Sequence, residues 1–279
     1  MNTLKKILSL CLVVSLFALA ACGSKTAKGE DAASGDGPIL TKIKKTGTLT
    51  LGTSADYPPY EWVGNTDGKQ EVVGFDIALG QAVADELGVK LEVQDMKFDG
   101  ILLALATGDI DLAAAGLVPT PERQEQVDFS ESYYSGGQLM LIRKADADKY
   151  KTQDDFQGAK VAAQIGTVQE TLALGLQGAD VQSLVNLNDM VQELKGQAVD
   201  AIVVAEAPGK QFEKLNPDLQ LVDLGFPNED GVAFGVAKGN EDFVAIINKV
   251  IAQWKQEGKI DEVMAKYTEL SSQQAAEVQ

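Results

Sequence analysis

Histidine is missing from all 279 residues, and cysteine occurs only as Cys11 and Cys22. The first absence removes the commonest general base and the commonest zinc ligand, so hydrolytic triads that use His are excluded. The second leaves the chain after Cys22 with no disulfide and no thiol chemistry. Positive charge is scarce: 24 Lys and Arg stand against 41 Asp and Glu, a formal net charge of -17. So acidic a chain is a poor match for nucleic acid. Its carboxylates are scattered along helical patterns and form no spaced loop of the EF-hand kind, so neither a metal nor another cofactor is expected. After the first apolar segment no run is long enough to cross a membrane, and no repeat with a period of about 20 to 50 residues is visible. A transmembrane receptor or channel is not expected.

What is present begins with a leader. Lys5 and Lys6 precede an apolar stretch over residues 7–18 that is too short to span a bilayer comfortably, and residues 1–21 read as a signal peptide. Leu19-Ala20-Ala21-Cys22 follows and resembles a bacterial lipobox, which implies a diacylglycerol on the Cys22 thiol. Residues 23–37 are rich in Gly, Ser, Ala, Lys and Asp and lack periodic apolar positions. The whole of 22–46 is read as lipidated cysteine plus flexible tether.

Beyond that, short apolar runs alternate with helical patterns: 49–53, 75–87, 90–93, 101–106 and 110–115. The alternation implies an α/β fold with mostly parallel sheets. The helix near Asp76 carries Ile77, Leu79, Val83, Ala84 and Leu87 on an inner face and stops at Gly88. A second series covers 160–163, 169–176, 189–194, 200–204 and 219–222, and reads as a second lobe. The chain passes between the two through residues 133–138, returns through 230–233, and ends in helices over 241–267. This predicts lobe 1 over 47–135 plus 233–279, lobe 2 over 136–232, and a two-strand hinge.

Several landmarks then occur in order: Gly52-Thr53-Ser54-Ala55-Asp56-Tyr57-Pro58-Pro59-Tyr60-Glu61, Gly74-Phe75-Asp76-Ile77, Phe98-Asp99-Gly100-Ile101, Gly108-Asp109-Ile110-Asp111-Leu112, and Thr120-Pro121-Glu122-Arg123 followed by Val127-Asp128-Phe129-Ser130 and Tyr133-Tyr134. Over nearly all of 48–267 the chain resembles the polar amino acid substrate-binding proteins of ABC transporters, the bacterial extracellular solute-binding family 3 of the periplasmic-binding-protein superfamily. Ala78 departs from the pattern, standing where an acidic residue is usual. The resemblance implies a two-lobed, type II periplasmic-binding fold whose lobes close on an amino acid.

Thr120, Pro121 and Glu122 together mark a helix start, and Arg123 adds a planar fork that fits a carboxylate bidentately. Alone, the tetrapeptide reads equally as a capped surface helix. The resemblance implies that Arg123 holds the ligand α-carboxylate, with Gly116, Val118 and Thr120 as a backbone-led cradle; Val118 replaces the usual hydroxyl. By the same resemblance Tyr57 and Phe98 flank the ligand side chain, with Tyr60 nearby, although each ring also suits a core. Some relatives that recognise charged or amide side chains carry an acid where Ser54 stands; the resemblance leaves Asp56, two positions on, either to substitute for it at the ligand side chain or to cap the turn. In the second lobe Thr167 and Gln169 open a helix and contribute donors, Thr167 as N-cap as well. Glu206, two before Pro208, is expected to take the ligand ammonium, although it lies one residue farther from its strand than the pattern has it.

The implied function is a lipid-anchored, monomeric capture protein on the outer face of the plasma membrane, or periplasmic where an outer membrane exists. It would hand an amino acid to an ABC permease, with no enzymatic activity. A dehydratase-like enzyme on the same fold and a ligand sensor docking on a membrane receptor are the alternatives.

Overall fold

The computed structural model describes residues 36–66, 68–228 and 231–278. The leader, Cys22 and most of the expected tether lie outside the described residues. The tether prediction fails at its far end: Pro38–Thr46 is a helix, α1. Pro38 suits its first turn, Gly47 closes it in the left-handed region, and Leu40 and Ile43 are buried in the core. Asn240 also accepts the Ile39 N–H at 3.1 Å. One apolar pair three residues apart among lysines and threonines carries too little periodicity to be seen in sequence.

Two five-stranded mixed sheets form the frame. The first has the order β5-β1-β6-β13-β7, built from Lys90–Asp95, Thr48–Thr53, Leu112–Ala113, Gly235–Ala237 and Val127–Phe129. Strand β1 pairs in parallel with β5 and β6, whereas β13 runs antiparallel to β6 and β7. The second has the order β10-β9-β11-β8-β12, built from Asp180–Leu184, Lys160–Gln164, Ala201–Ala205, Gln138–Arg143 and Leu219–Val222. There β9 is parallel to β10 and β11, and β8 is antiparallel to β11 and β12. Each sheet therefore has one reversed strand. In each it is the strand reached straight from the other sheet without a crossover helix, and a helical crossover is what makes neighbours parallel.

The two crossings pair with each other. Val232 donates its N–H to Tyr134 O at 2.8 Å, and Tyr133 donates to Val232 O at 3.0 Å. Gly231, at φ 94°, makes this approach possible, because a Cβ there would come within 2.6 Å of Tyr134 O.

Packing follows strand periodicity. In the second sheet Met140, Ile142, Val161, Ala163, Ala201 and Val203 face Tyr150 and Phe156, while Leu141, Ala162, Ile202 and Val204 face Met190, Leu194 and Phe212. All of β11 is buried, as expected of a strand covered on both faces. The covering helices are α5 (Val168–Leu174), α6 (Leu187–Lys195) and α7 (Glu206–Leu215). Around the first sheet stand α2 (Phe75–Leu87), α3 (Ile101–Thr107), α4 (Pro121–Gln126), α8 (Glu241–Gln256) and α9 (Lys259–Val278). Helix α2 ends at Gly88 in the left-handed region, as its sequence requires. A small antiparallel sheet, β2-β3-β4 over Asp56–Tyr57, Glu61–Thr66 and Lys69–Val73, was not visible in the sequence pattern. Among the described residues no helix is long and apolar enough to cross a membrane.

Candidate functional site

A cavity lies between the two sheets, at the carboxyl ends of their parallel strands, where open α/β sheets bind ligands. The first-sheet side contributes Ser54 after β1, Phe98 after β5, Ala115, Gly116 and Val118 after β6, Arg123 from α4, and, from the small sheet, Asp56 and Tyr57 of β2 and Glu61 at the start of β3. The second contributes Gln164 at the end of β9 and Thr167, Val168 and Gln169 at the start of α5. Its enclosed volume is about 20 Å³.

Arg123 is 8 % exposed. Thr120 caps α4 by accepting the Arg123 N–H, so the predicted helix start is observed and sets the direction of the side chain. Nη1 donates to Val118 O at 2.8 Å and Nη2 to Gly166 O at 2.9 Å. The guanidinium also lies over the Phe98 ring, 5.5 Å from its centroid. Val118 meets Arg123 through its backbone carbonyl, and Thr120, the helix cap, does not line the cavity.

Asp56 is 4 % exposed and also spans the two sheets. Its carboxylate accepts the Leu187 N–H at 2.8 Å, Gln164 Nε2 at 3.2 Å and the Ser54 hydroxyl at 3.1 Å. Burial pushes its pKa up, against the lowering effect of those three donors. Tyr57 stacks on Tyr60 with centroids 5.7 Å apart. Tyr60 itself does not line the cavity; it is buried against Tyr57 and, edge-on, Tyr134. Gly116 takes φ 55°, and a Cβ there would sit 3.1 Å from the Tyr57 ring. Thr167 caps α5 by accepting the Glu170 N–H, and Gln169 Nε2 donates to Gln138 Oε1.

The structure places Glu206 apart from the other expected site residues. It does not line the cavity. Strand β11 ends at Ala205, and Glu206 is the first residue of α7, where it pairs with Lys210 one turn on and accepts the Gly137 N–H at 3.1 Å. The extra residue between strand and acid, visible in the sequence, turns the side chain toward the crossing segment.

Two acids went unassigned in the sequence. Glu61 is fully buried, and neither carboxyl oxygen has a hydrogen-bond partner. Burial, then the charges of Asp76 and Asp56, push its pKa well above the usual carboxylate range. Asp76, on α2 behind it, accepts the Tyr133 hydroxyl at 2.8 Å and the Gly116 N–H at 3.0 Å. Burial outweighs both donors and raises Asp76 to about 6. The two carboxyls influence each other without meeting hydrogen-bond geometry. Gln164 was also unassigned, since a polar residue closing a strand looks like any surface edge. Among the described residues no cluster of three or more His, Cys, Asp or Glu side chains is placed to hold a metal.

The family model of bacterial extracellular solute-binding proteins, family 3, matches residues 49–269. The arginine-binding extracellular protein ArtP of Bacillus subtilis is 32% identical over 268 residues, 94% of this chain and 97% of that protein. A crystal structure of an amino acid ABC transporter substrate-binding protein from Streptococcus pneumoniae bound to L-arginine is 39% identical, with a TM-score of 0.80 over 83% of this chain and 98% of that one. The ancestral amino acid-binding protein AncCDT-1, a precursor of cyclohexadienyl dehydratase, is 36% identical, with a TM-score of 0.76 over 82% of this chain and 99% of that one. Fold, cavity position and these matches agree: the chain belongs to the bacterial extracellular solute-binding proteins, family 3.

Proposed function

We propose that this chain captures a polar amino acid outside the cytoplasmic membrane and delivers it to an ABC permease, by binding and without catalysis. The observation that carries the reading is the charge pattern of the cavity: a single cationic side chain, Arg123, among lining residues whose only acids are Asp56 and Glu61. A free amino acid presents the complement, a carboxylate and an ammonium. The carboxylate takes the fork of Arg123 in place of the Gly166 carbonyl. The ammonium goes to Asp56, the lining carboxylate already tied to both sheets, in the role expected of Glu206.

A space of about 20 Å³ holds roughly one water, so an amino acid enters only when the sheets part about the crossing at Tyr134 and Val232. Closure then brings Gln164, Thr167 and Gln169 of the second sheet onto a ligand already held by Arg123 and Asp56, and that gain in affinity drives it. Hydrogen bonds to charged groups contribute about 1.5 to 3 kcal/mol each, so a few of them plus a buried side chain reach the roughly 8 kcal/mol of micromolar binding after ordering costs.

The reading includes a lipid on Cys22, a monomeric state, and residence on the outer face of the membrane. Its support is the leader sequence together with family membership. A dehydratase would alter its ligand, so mass spectrometry of the recovered compound separates the two chemistries. The direct test is a thermal-shift screen against the twenty amino acids after unfolding and refolding to strip carried ligand. A ligand at about 100 times its Kd adds about 2.7 kcal/mol of stability. A shift confined to one amino acid or one chemical class supports the reading, and no shift with any of them overturns it.

A further inference from the structure

The last helix touches both sheets' surroundings, and it does so away from the cavity. Helix α9 is rooted on the first sheet: Ile260 and Met264 are buried in that core, with Val263 and Tyr267 packed against it. Farther along, α9 is fastened to the small sheet on the same side. Tyr267 meets Trp62 edge-on, and the Gln274 amide accepts the Trp62 Nε1–H at 3.2 Å and the Asn65 N–H at 3.3 Å while donating to Asn65 O at 2.7 Å. Between those anchors Ser272 reaches the second sheet's side. Its hydroxyl accepts from Gln211 Nε2 at 3.1 Å and donates to Thr268 O of its own helix at 2.8 Å. Gln211 lies on α7, whose Phe212 belongs to the core of the second sheet. Gln211 is 1 % exposed and Ser272 7 %, so the Gln211 amide has this hydroxyl in place of water. Losing a buried partner of that kind costs more than losing an exposed one. Lys214 and Glu269, 3.6 Å apart and exposed at the rim of the same contact, add little.

Resting on the amino acid reading, we infer that α9 is a strap whose Ser272–Gln211 contact sets how much of the ligand-free protein is closed, and that this positioning pair tunes affinity for every ligand without touching any. The links at the cavity, Arg123 to Gly166 and Asp56 to Leu187 and Gln164, use the side chains to which the ligand is assigned. Ser272 and Gln211 lie outside the cavity lining, so a ligand leaves their link intact. It favours the closed arrangement with or without ligand. Parting the sheets about the crossing at Tyr134 and Val232 moves α7 past α9, because the core and Gln274 hold α9 to the first sheet on either side of Ser272. The apparent Kd is the intrinsic Kd divided by the fraction of protein competent to bind. A contact that changes only that fraction shifts all amino acids by one factor and leaves their ranking alone, whereas a cavity side chain changes the ranking.

The test is titration calorimetry of the wild type, Ser272→Ala and Gln211→Met with two amino acids of different side chain, the best binder and the next best, alongside small-angle scattering. Ser272→Ala should weaken both ligands by the same factor, about two- to tenfold, with the radius of gyration at saturating ligand unchanged from wild type. Gln211→Met should do the same, and the double variant should weaken binding no further than the stronger single variant, since the two residues act as one contact. Unchanged affinity in all the variants, even with a lower Tm, makes the pair a packing contact and overturns the strap. Weakening of one ligand alone overturns it as well. No binding of any amino acid by the wild type overturns the amino acid reading instead, and scattering of the ligand-free proteins then decides the strap: a larger radius in Ser272→Ala than in wild type upholds it, and equal radii overturn it.

Discussion

Arg123 and Gly166 meet across the cavity: the Nη2 of the first donates at 2.9 Å to the carbonyl oxygen of the second, joining the end of one sheet to the end of the other. With the Asp56 carboxylate accepting from Leu187 and Gln164, this makes two polar links between the same two faces. Both links use the side chains to which the proposed function assigns the ligand. On that proposal binding and closure share their chemistry, because the atoms that would hold the amino acid are the atoms that hold the sheets together.

The first prediction concerns the fork itself. Arg123→Lys keeps the charge but has no planar pair of donors to span a carboxylate. Affinity for the best amino acid should fall at least about tenfold by calorimetry. An unchanged Kd would mean that the carboxylate is held elsewhere.

Glu206→Ala should leave amino acid affinity within about threefold of wild type, a change well under 1.4 kcal/mol. The residue pairs with Lys210 at a partly exposed position, 36% against 64%. Such pairs contribute roughly 0 to 1 kcal/mol to stability. A loss of binding as severe as that of an Arg123 variant would return Glu206 to the site.

Buried acids set a pH dependence. Asp76 is raised from 3.8 to about 6, so the folded protein holds its proton more tightly than the unfolded chain does. Stability from this group is therefore fully present below about pH 4 and is lost as pH rises toward 6, by roughly 3 kcal/mol at 1.36 kcal/mol per unit. Glu61, shifted in the same direction, extends the loss to higher pH. Asp76→Asn should flatten the fall in ligand-free Tm between pH 4 and 6 relative to wild type. An equal fall in both proteins would show that the acid titrates normally.

Much of this arrangement is legible in the sequence, and its failures have local causes. Thr120, Pro121 and Gly88 announce helix ends through backbone chemistry, which needs no tertiary knowledge, and those ends are observed. Asp56, Tyr57, Phe98, Gly116, Val118, Arg123, Thr167 and Gln169 come together at one cavity because each sits just after a strand or at a helix start, positions that the α/β alternation already fixes. Glu206 lies outside the lining of that cavity, at a strand-to-helix junction where a one-residue offset changes the direction of a side chain. Glu61 was quoted within a landmark yet given no role, because a glutamate after two prolines carries no sign of burial. Its environment is made by α2 and the crossing segment, far away in sequence.

Helix α1 is the other element that sequence did not show, and its contribution is measurable. Ile43→Ala removes a fully buried side chain and should cost about 2 to 5 kcal/mol in urea unfolding. A change within about 0.5 kcal/mol is what a flexible tether would give.

The central claim is that Arg123 captures the α-carboxylate of an amino acid. Its most direct test is titration of the wild-type protein with the best-binding L-amino acid and with the amine left when that amino acid loses its carboxylate. The side chain and ammonium are the same in both, so the comparison isolates the contact with Arg123. The amine should bind about a hundredfold more weakly or not at all, and an amine that binds as tightly as the amino acid would contradict the account.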